Sequence, residues 1–415
     1  MFQQAVKKAA NKPIETSKEG SNGTSIETGF RIEALRIKLL QVPLERPYRA
    51  SSGVCKTRRT VVVEMRCGGV TGYGEAAPFD EPFYSGETVS SILALYRDIY
   101  LPRLLGKDFR SLEEFHLELG RGVRDNPIAR AGLETAAWDL VSALQKKSLV
   151  TLMSHVLRLQ GVPGHLREPR DRVECGVTLG IPDSSTDDRA GSFRKWLRTY
   201  VAEGYHRVKI KILPGWDQEP CQIARAELGR DFPLATDSDS SYQLEHHIDN
   251  FRAMDPFDLL FHEQPLAHDD LLDHARLARE IETPLCLDES LRSFRHARQA
   301  LDCGAPRIWN IKIQRLGLLE ALKIYALATR QPDVQIWVGS LPETGLGFQP
   351  SLALAAFPHF KLAAEVGPST RWYQAGTDPV EVCLHRDGTI DVPKYAGVSE
   401  RLDRSLYNQR VRDMF

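Results

Sequence analysis

The feature that most constrains this chain is a run of five charged residues, Lys211, Asp237, Glu263, Asp288 and Lys312, separated by 26, 26, 25 and 24 positions. Each lies in the closing part of a short apolar run: RVKIKI (207–212), PLATDSD (233–239), LLFHEQP (259–265), PLCLDES (284–290) and RIWNIKI (307–313). A helix-length segment follows each run. About 25 residues make one strand, one helix and their loops, so the five take equivalent places at the C-terminal ends of successive parallel strands. Runs of the same texture at 173–180 (VECGVTLG), 334–340 (VQIWVGS) and 360–366 (FKLAAEV) bring the strand candidates to eight. Eight strands alternating with helices over about 200 residues predict an α/β fold, a (β/α)8 barrel of TIM type rather than an open sheet.

The chain before residue 157 has a different pattern. RIEALRIKLLQVPL, RRTVVVEMRCGG and VTGYGEA, parted by turn residues, predict an antiparallel meander. Helical patterns begin near Ser85, near Ser111 and at about Ile128, where Ala131, Ala136 and Leu140 recur near helical spacing. On the third helix, Trp138 and Asp139 read as packing and capping groups between domains. Gly161, Pro163, Gly164 and Pro169 then mark a loop or linker. Residues 1–28 are polar and lack periodic apolar positions, as in a flexible tail. The expected division is a tail over 1–28, an α+β domain over 29–157 and the barrel over 158–366.

Charge and cysteine usage narrow the class of partner. Lys and Arg number 54 against 55 Asp and Glu, a net charge of −1, so no global field draws nucleic acid or an anionic membrane. The seven cysteines are scattered and never form a CxxC pair, which argues against a disulfide framework and for a reducing cytoplasm. No apolar run approaches the roughly 18 residues needed to span a bilayer, and the first 30 residues lack the apolar centre of a signal peptide. The expected partner is a small molecule, and the expected assembly a homo-oligomer.

Three carboxylates converging at one barrel mouth repel one another unless a cation neutralises them. Oxygen-only donors select Mg²⁺, or Mn²⁺, over zinc, and leave coordination positions for water and a substrate carboxylate. The flanking lysines suit removal of a proton α to that carboxylate, a step that needs a base and stabilisation of charge on oxygen. Lys209, two residues before Lys211, points to the same side of its strand. There its charge is expected to lower the Lys211 pKa toward neutrality and to meet the substrate carboxylate.

At these residues the sequence resembles the enolase superfamily. The lysine-x-lysine of strand two and the lysine of strand six look like the muconate lactonizing enzyme subgroup. VKIKILPGWD, TDSDSSY, HEQPL, CLDES and NIKIQRLG look like the o-succinylbenzoate synthase and N-succinylamino acid racemase group. The likeness extends to GYGEAAPFDEPFYSGETV, ETAAWDL and ETGLG, and so over nearly all of the chain after the tail. It implies Lys211 and Lys312 as the acid/base pair, Lys209 as the accompanying lysine, and Asp237, Glu263 and Asp288 as Mg²⁺ ligands. It also implies a capping domain completed by residues 367–415, with DGTIDVP (387–393) returning to it, and loops around Ser51–Gly53 and Phe79–Tyr84 closing over the substrate. The implied chemistry is α-proton abstraction through a metal-stabilised enolate, as o-succinylbenzoate synthase-type dehydration or as N-acylamino acid racemisation.

This chain departs from the pattern at Asp239, where relatives usually have Asn, at Leu318 after Gly317, at Pro342 before Glu343, and at Phe348, where relatives commonly have Arg. These positions are expected to line or adjoin the substrate pocket. Two other classes compete. A zinc amidohydrolase would carry His-x-His on strand one, which reads VECGVTLG, and His246 and His247 read as exposed helix residues. A non-catalytic barrel would be expected to have lost one of the five residues, and all five are present. Glu289, beside Asp288, reads equally as a hydrogen-bond partner of a catalytic lysine or as an exposed residue after its strand.

Overall fold

The computed structural model describes residues 29–183 and 188–415, so the tail expected over 1–28 lies outside the described residues. Three antiparallel strands come first: β1 (Ala34–Val42), β2 (Arg58–Cys67) and β3 (Val70–Ala76). The unbroken TVVV of β2 is explained by burial on both faces. Val61 and Val63 join the main core, whereas Val62 packs with Val380 and Val398 from the C-terminal segment.

The helices follow in the expected order: α1 (Val89–Leu95), α2 (Leu112–Gly120), α3 (Pro127–Gln145) and α4 (Leu149–Leu159). The first starts four residues later than expected from Ser85, because Thr88 and Ser91 form a reciprocal cap there. The helix expected near Ser111 is α2, which Ser111 caps. Pro127 opens α3, and the buried Glu87 carboxylate accepts from the free N–H groups of Ile128 and Ala129 at 2.9 and 2.8 Å. Gly74 on β3 lets α3 lie directly on the sheet, since a Cβ there would stand 2.2 Å from the Gly132 carbonyl oxygen. Asp139, buried on α3, accepts from Tyr73 N at 2.9 Å and Val398 N at 2.8 Å, tying the sheet to the C-terminal segment. Burial pushes its carboxyl up to about 7. Trp138 is fully buried beside it.

The barrel runs β4 (Gly176–Leu179), α5 (Arg189–Ala202), β5 (Arg207–Lys211), α6 (Gln218–Leu228), β6 (Leu234–Asp237) and α7 (Leu244–Met254). It continues with β7 (His262–Glu263), α8 (Leu271–Leu277), β8 (Leu285–Leu287), α9 (Phe294–Asp302), β9 (Ile308–Ile311), α10 (Leu318–Ala328), β10 (Gln335–Val338) and α11 (Gly345–Ala355). Strands β4 to β10 form one parallel seven-stranded sheet in sequence order. The expected eighth strand, 360–366, is not a ladder. It bridges Ile336 on β10 at Phe360 and Cys175, beside β4, at Ala364. The two sides engage it at different residues, so no run of consecutive pairs forms, yet it joins the last strand to the first. Beneath the mouth, Phe261 and Trp337 stack with centroids 5.9 Å apart and Arg207 lies over Trp337 at 4.2 Å, so the interior is a packed core.

The C-terminal segment corrects one expectation. Thr389–Asp391, within DGTIDVP, pairs with Arg172–Glu174 below the barrel rather than with the capping sheet. The return to that sheet is made by β11 (Val411–Asp413), which pairs with β1 at Leu40 to Lys38. The reason lies in the neighbours: Ile390 covers the buried Val173 where the chain enters the barrel. His246 is exposed on α7, as expected. Among the described residues, no helix is long and apolar enough to cross a membrane.

Candidate active site

Parallel register brings the five charges together. Lys211 on β5 pairs with Asp237 on β6, which pairs with Glu263 on β7. Asp288 and Lys312 stand immediately beyond the ends of β8 and β9. All five are buried, as is Lys209.

The lysines are threaded between the acids. Lys209 Nζ lies 2.7 Å from Asp237 Oδ2, 2.7 Å from Glu263 Oε2 and 3.0 Å from Glu365 Oε2. Lys211 Nζ donates to Asp237 Oδ2 at 2.8 Å and to Asp239 Oδ1. Lys312 Nζ donates to Asp288 Oδ2 at 2.7 Å and to the Tyr84 hydroxyl at 3.2 Å. Arg315, one turn later, donates to the other Asp288 oxygen and to the carbonyls of Leu291 and Asn310. Asn310 Nδ2 donates to Glu263 Oε1 at 2.6 Å.

These pairings set the protonation. Burial disfavours the ammonium of Lys211, but Asp237 and Asp239 outweigh it and raise the pKa well above the ordinary lysine value. Lys209 itself lies among three carboxylates. Lys312 is raised in the same way, burial being outweighed by Asp288. Glu263 is raised too: burial and the Asp237 charge push it up to about 8. Glu289 is raised by burial and by Asp288, and its Oε2 has no hydrogen-bond partner among the described residues.

Asp237, Glu263 and Asp288 are three buried oxygen donors on consecutive strand ends, a set that suits a hard divalent cation. Among the described residues no three such side chains form a finished cage, since the lysine and Arg315 heads supply the counter-charge between them. The fit is one of donor type and strand order.

Above these groups is a cavity of about 70 Å³ lined by Lys209, Lys211, Asp237 and Lys312 from below and by Tyr48, Ser52, Phe79, Phe83 and Tyr84 from the cap. Both expected loops thus close over it. They also close on each other: a Cβ on Gly53 would stand 2.5 Å from the Phe83 ring. Asp239, in the left-handed region at φ 43°, accepts from Ser51 N at 2.9 Å, so it links the cap loop to Lys211. Pro342 lines the cavity, whereas Phe348 does not, being buried in the core on α11. Leu318, on α10, is likewise a core residue. Sequence reasoning missed Glu365, Asn310, Arg315 and Arg371. Glu365 carried a readable signal, since it closes the eighth apolar run as the five others close theirs.

Two family matches cover these elements. Residues 34–154 match the mandelate racemase / muconate lactonizing enzyme N-terminal domain, and residues 192–406 match the family described as enolase C-terminal domain-like. The chain belongs to the mandelate racemase / muconate lactonizing enzyme group of the enolase superfamily. Within it, the chain is 37% identical over 377 residues to the o-succinylbenzoate synthase of Geobacillus kaustophilus, covering 90% of this chain and 94% of that one. It is 36% identical to the N-succinylamino acid racemase of Thermus thermophilus, covering 90% and 95%. A solved enolase-superfamily structure from Enterococcus faecalis superposes with a TM-score of 0.80 at 30% identity, covering 93% of this chain and 99% of that one. The chain is an enolase-superfamily enzyme of the o-succinylbenzoate synthase / N-succinylamino acid racemase-like kind.

Proposed function

We propose that this enzyme removes the proton α to the carboxylate of a small-molecule substrate, most directly in an o-succinylbenzoate synthase-type dehydration. The observation that carries the reading is that Lys211 and Lys312, on the second and sixth barrel strands, line one cavity beside Asp237. With Asp237 and Asp288 engaged by a bound cation rather than by the lysine heads, one lysine would be free to take the α-proton, and the other would stabilise the charge that develops or return a proton to the leaving group. Asp237, Glu263 and Asp288 would hold Mg²⁺, with Mn²⁺ the alternative. The bound cation would supply Lewis-acid stabilisation of the substrate carboxylate. Lys209, surrounded by three acids, holds their orientation from below. Tyr84 positions Lys312 through its hydroxyl and ring, the ammonium lying 5.0 Å from the ring centroid. The cap loops over the cavity exclude bulk water while the proton is in transit.

Racemisation of an N-acylamino acid is the second reading, favoured by the approach of the two lysines from different strands, which gives access to both faces of one carbon. The test is α-proton exchange in D₂O with Mg²⁺, followed by NMR, on a cyclohexadiene carboxylate that can lose water and on N-succinylamino acids of each hand. Wild type is expected to incorporate deuterium or eliminate water, and Lys211→Ala and Lys312→Ala to lose at least a hundredfold in rate, as for removal of a general acid or base. Exchange that persists unchanged in both variants overturns the proposal.

A further inference from the structure

The three carboxylates around the buried Lys209 ammonium are not equivalent. Asp237 Oδ2 and Glu263 Oε2, each 2.7 Å from Nζ, belong to the acids proposed above as cation ligands. Glu365 Oε2, at 3.0 Å, lies outside that set. Two of the three proposed ligands thus have an oxygen engaged by a fixed positive charge, and an ammonium and a divalent cation drawing on the same oxygens repel each other. The two oxygens of Glu365 are divided between neighbours. Oε1 accepts from Thr178 Oγ1 at 2.5 Å and from Arg207 Nη2 at 3.2 Å, which holds the carboxylate from β4 and β5, and Oε2 is left to Lys209. Arg207 is 1% exposed and lies over Trp337, so that side of the carboxylate is packed in place. The Arg371 charge acts on Glu365 as well. Burial favours the neutral acid, but Lys209 and Arg207 outweigh it and hold Glu365 below the usual glutamate range.

Glu365 reaches Lys209 from the segment that closes the barrel, one residue after the bridge of Ala364 to Cys175. We infer that Glu365 is a positioning residue for the cation site: when a divalent cation engages Asp237 and Glu263, Glu365 is the carboxylate that stays with Lys209 and balances its charge. The affinity for the cation then depends on an acid that does not ligate it. This rests on the assignment of Asp237, Glu263 and Asp288 as ligands proposed above.

The test is calorimetry of Mg²⁺ binding to the full chain, freed of metal by chelation, at fixed pH and ionic strength. Glu365→Gln removes the charge but keeps an oxygen for Thr178, and the Kd for Mg²⁺ is expected to rise roughly tenfold to a hundredfold, the usual cost of losing a group that supports a metal site from outside it. Glu365→Asp, with the charge on a shorter stem, should recover part of that loss. In Lys209→Met, where the ammonium is gone, adding Glu365→Gln should change Kd by no more than about twofold, as for two sites that no longer interact. A merely structural role would give the same loss in both backgrounds. Circular dichroism melts confirm that each variant is folded. If Glu365→Gln is not, Thr178→Val carries the test, since it loosens the hold on Oε1 and should raise Kd by a smaller factor that again disappears in Lys209→Met. Equal losses in the two backgrounds, or no loss in either, overturn the inference while leaving the ligand assignment standing. Absence of Mg²⁺ binding by the wild type, or binding untouched by Asp288→Asn, would refute the ligand assignment and the inference with it.

Discussion

Replacing Arg58 by Met tests whether one buried guanidinium joins the cap to the barrel. Arg58 begins β2, is 1% exposed, and donates from Nε to the Pro342 carbonyl at 2.5 Å, from Nη2 to Ala77 at 2.8 Å and from Nη1 to Pro78. Two of these acceptors belong to the cap and one to the barrel loop that lines the catalytic cavity. Methionine fills most of the volume but leaves three buried carbonyls without a donor, each worth about 1–3 kcal/mol. Removing the buried charge itself returns part of that, because burying an ion is costly. The net expected loss is about 3–5 kcal/mol, or a fall in melting temperature of roughly 3–6 °C for a chain of this length. Tyr373→Phe is the comparison, since its hydroxyl donates to the carbonyls of Pro342 and Glu343 at 2.8 and 3.0 Å. Two neutral bonds to one loop predict a loss of only about 1–2 kcal/mol. Melting is followed by circular dichroism, and KM is measured alongside because Pro342 lines the cavity. A shift for Arg58→Met of under about 2 °C, or one no larger than that of Tyr373→Phe, would refute the reasoning that charge-assisted bonds to carbonyls hold the two units together.

Three further outcomes are expected. His116 on α2 contacts Glu134 Oε2 on α3 at 3.0 Å. Burial lowers its pKa, but Glu134 outweighs this and the net is raised, so its stabilisation is full below about pH 6.5 and is lost as pH rises through the folded-state value. His116→Gln should therefore cost more stability at pH 5.5 than at pH 8.5, and an equal loss at both would count against the ion pair. Gly74→Ala should cost at least about 3 kcal/mol, because its Cβ meets backbone of α3, whereas Gly86→Ala, with nothing within 4 Å, should stay within about 0.5 kcal/mol by urea unfolding. Chelation of divalent ions should abolish deuterium exchange and addition of Mg²⁺ or Mn²⁺ restore it, while Asp288→Asn weakens metal binding by calorimetry; exchange that survives chelation would exclude a role for the three acids as metal ligands.

The barrel and its charged mouth were legible in the sequence because parallel strands repeat at the length of one strand and one helix. Any residue that closes a strand therefore recurs at that period. Lys211, Asp237, Glu263, Asp288 and Lys312 carried this signal, while the cap was carried by β-branched runs parted by turn residues and by the helical spacing of Ala131, Ala136 and Leu140. Which ammonium faces which carboxylate is set by packing between strands. A strand-end position sets a residue's height in the barrel, but the partner of its charged head depends on side chains from neighbouring strands. Lys209 is thus enclosed by acids that lie 28, 54 and 156 residues away in the chain. Closure between the last strand and the first through single bridges at Phe360 and Ala364, and the docking of 389–391 beneath the barrel, were likewise settled by packing. Arg371 had no periodic signal at all. Its place beside the cavity comes from aromatic rings brought in by α5 and the C-terminal segment, contacts that no local pattern encodes.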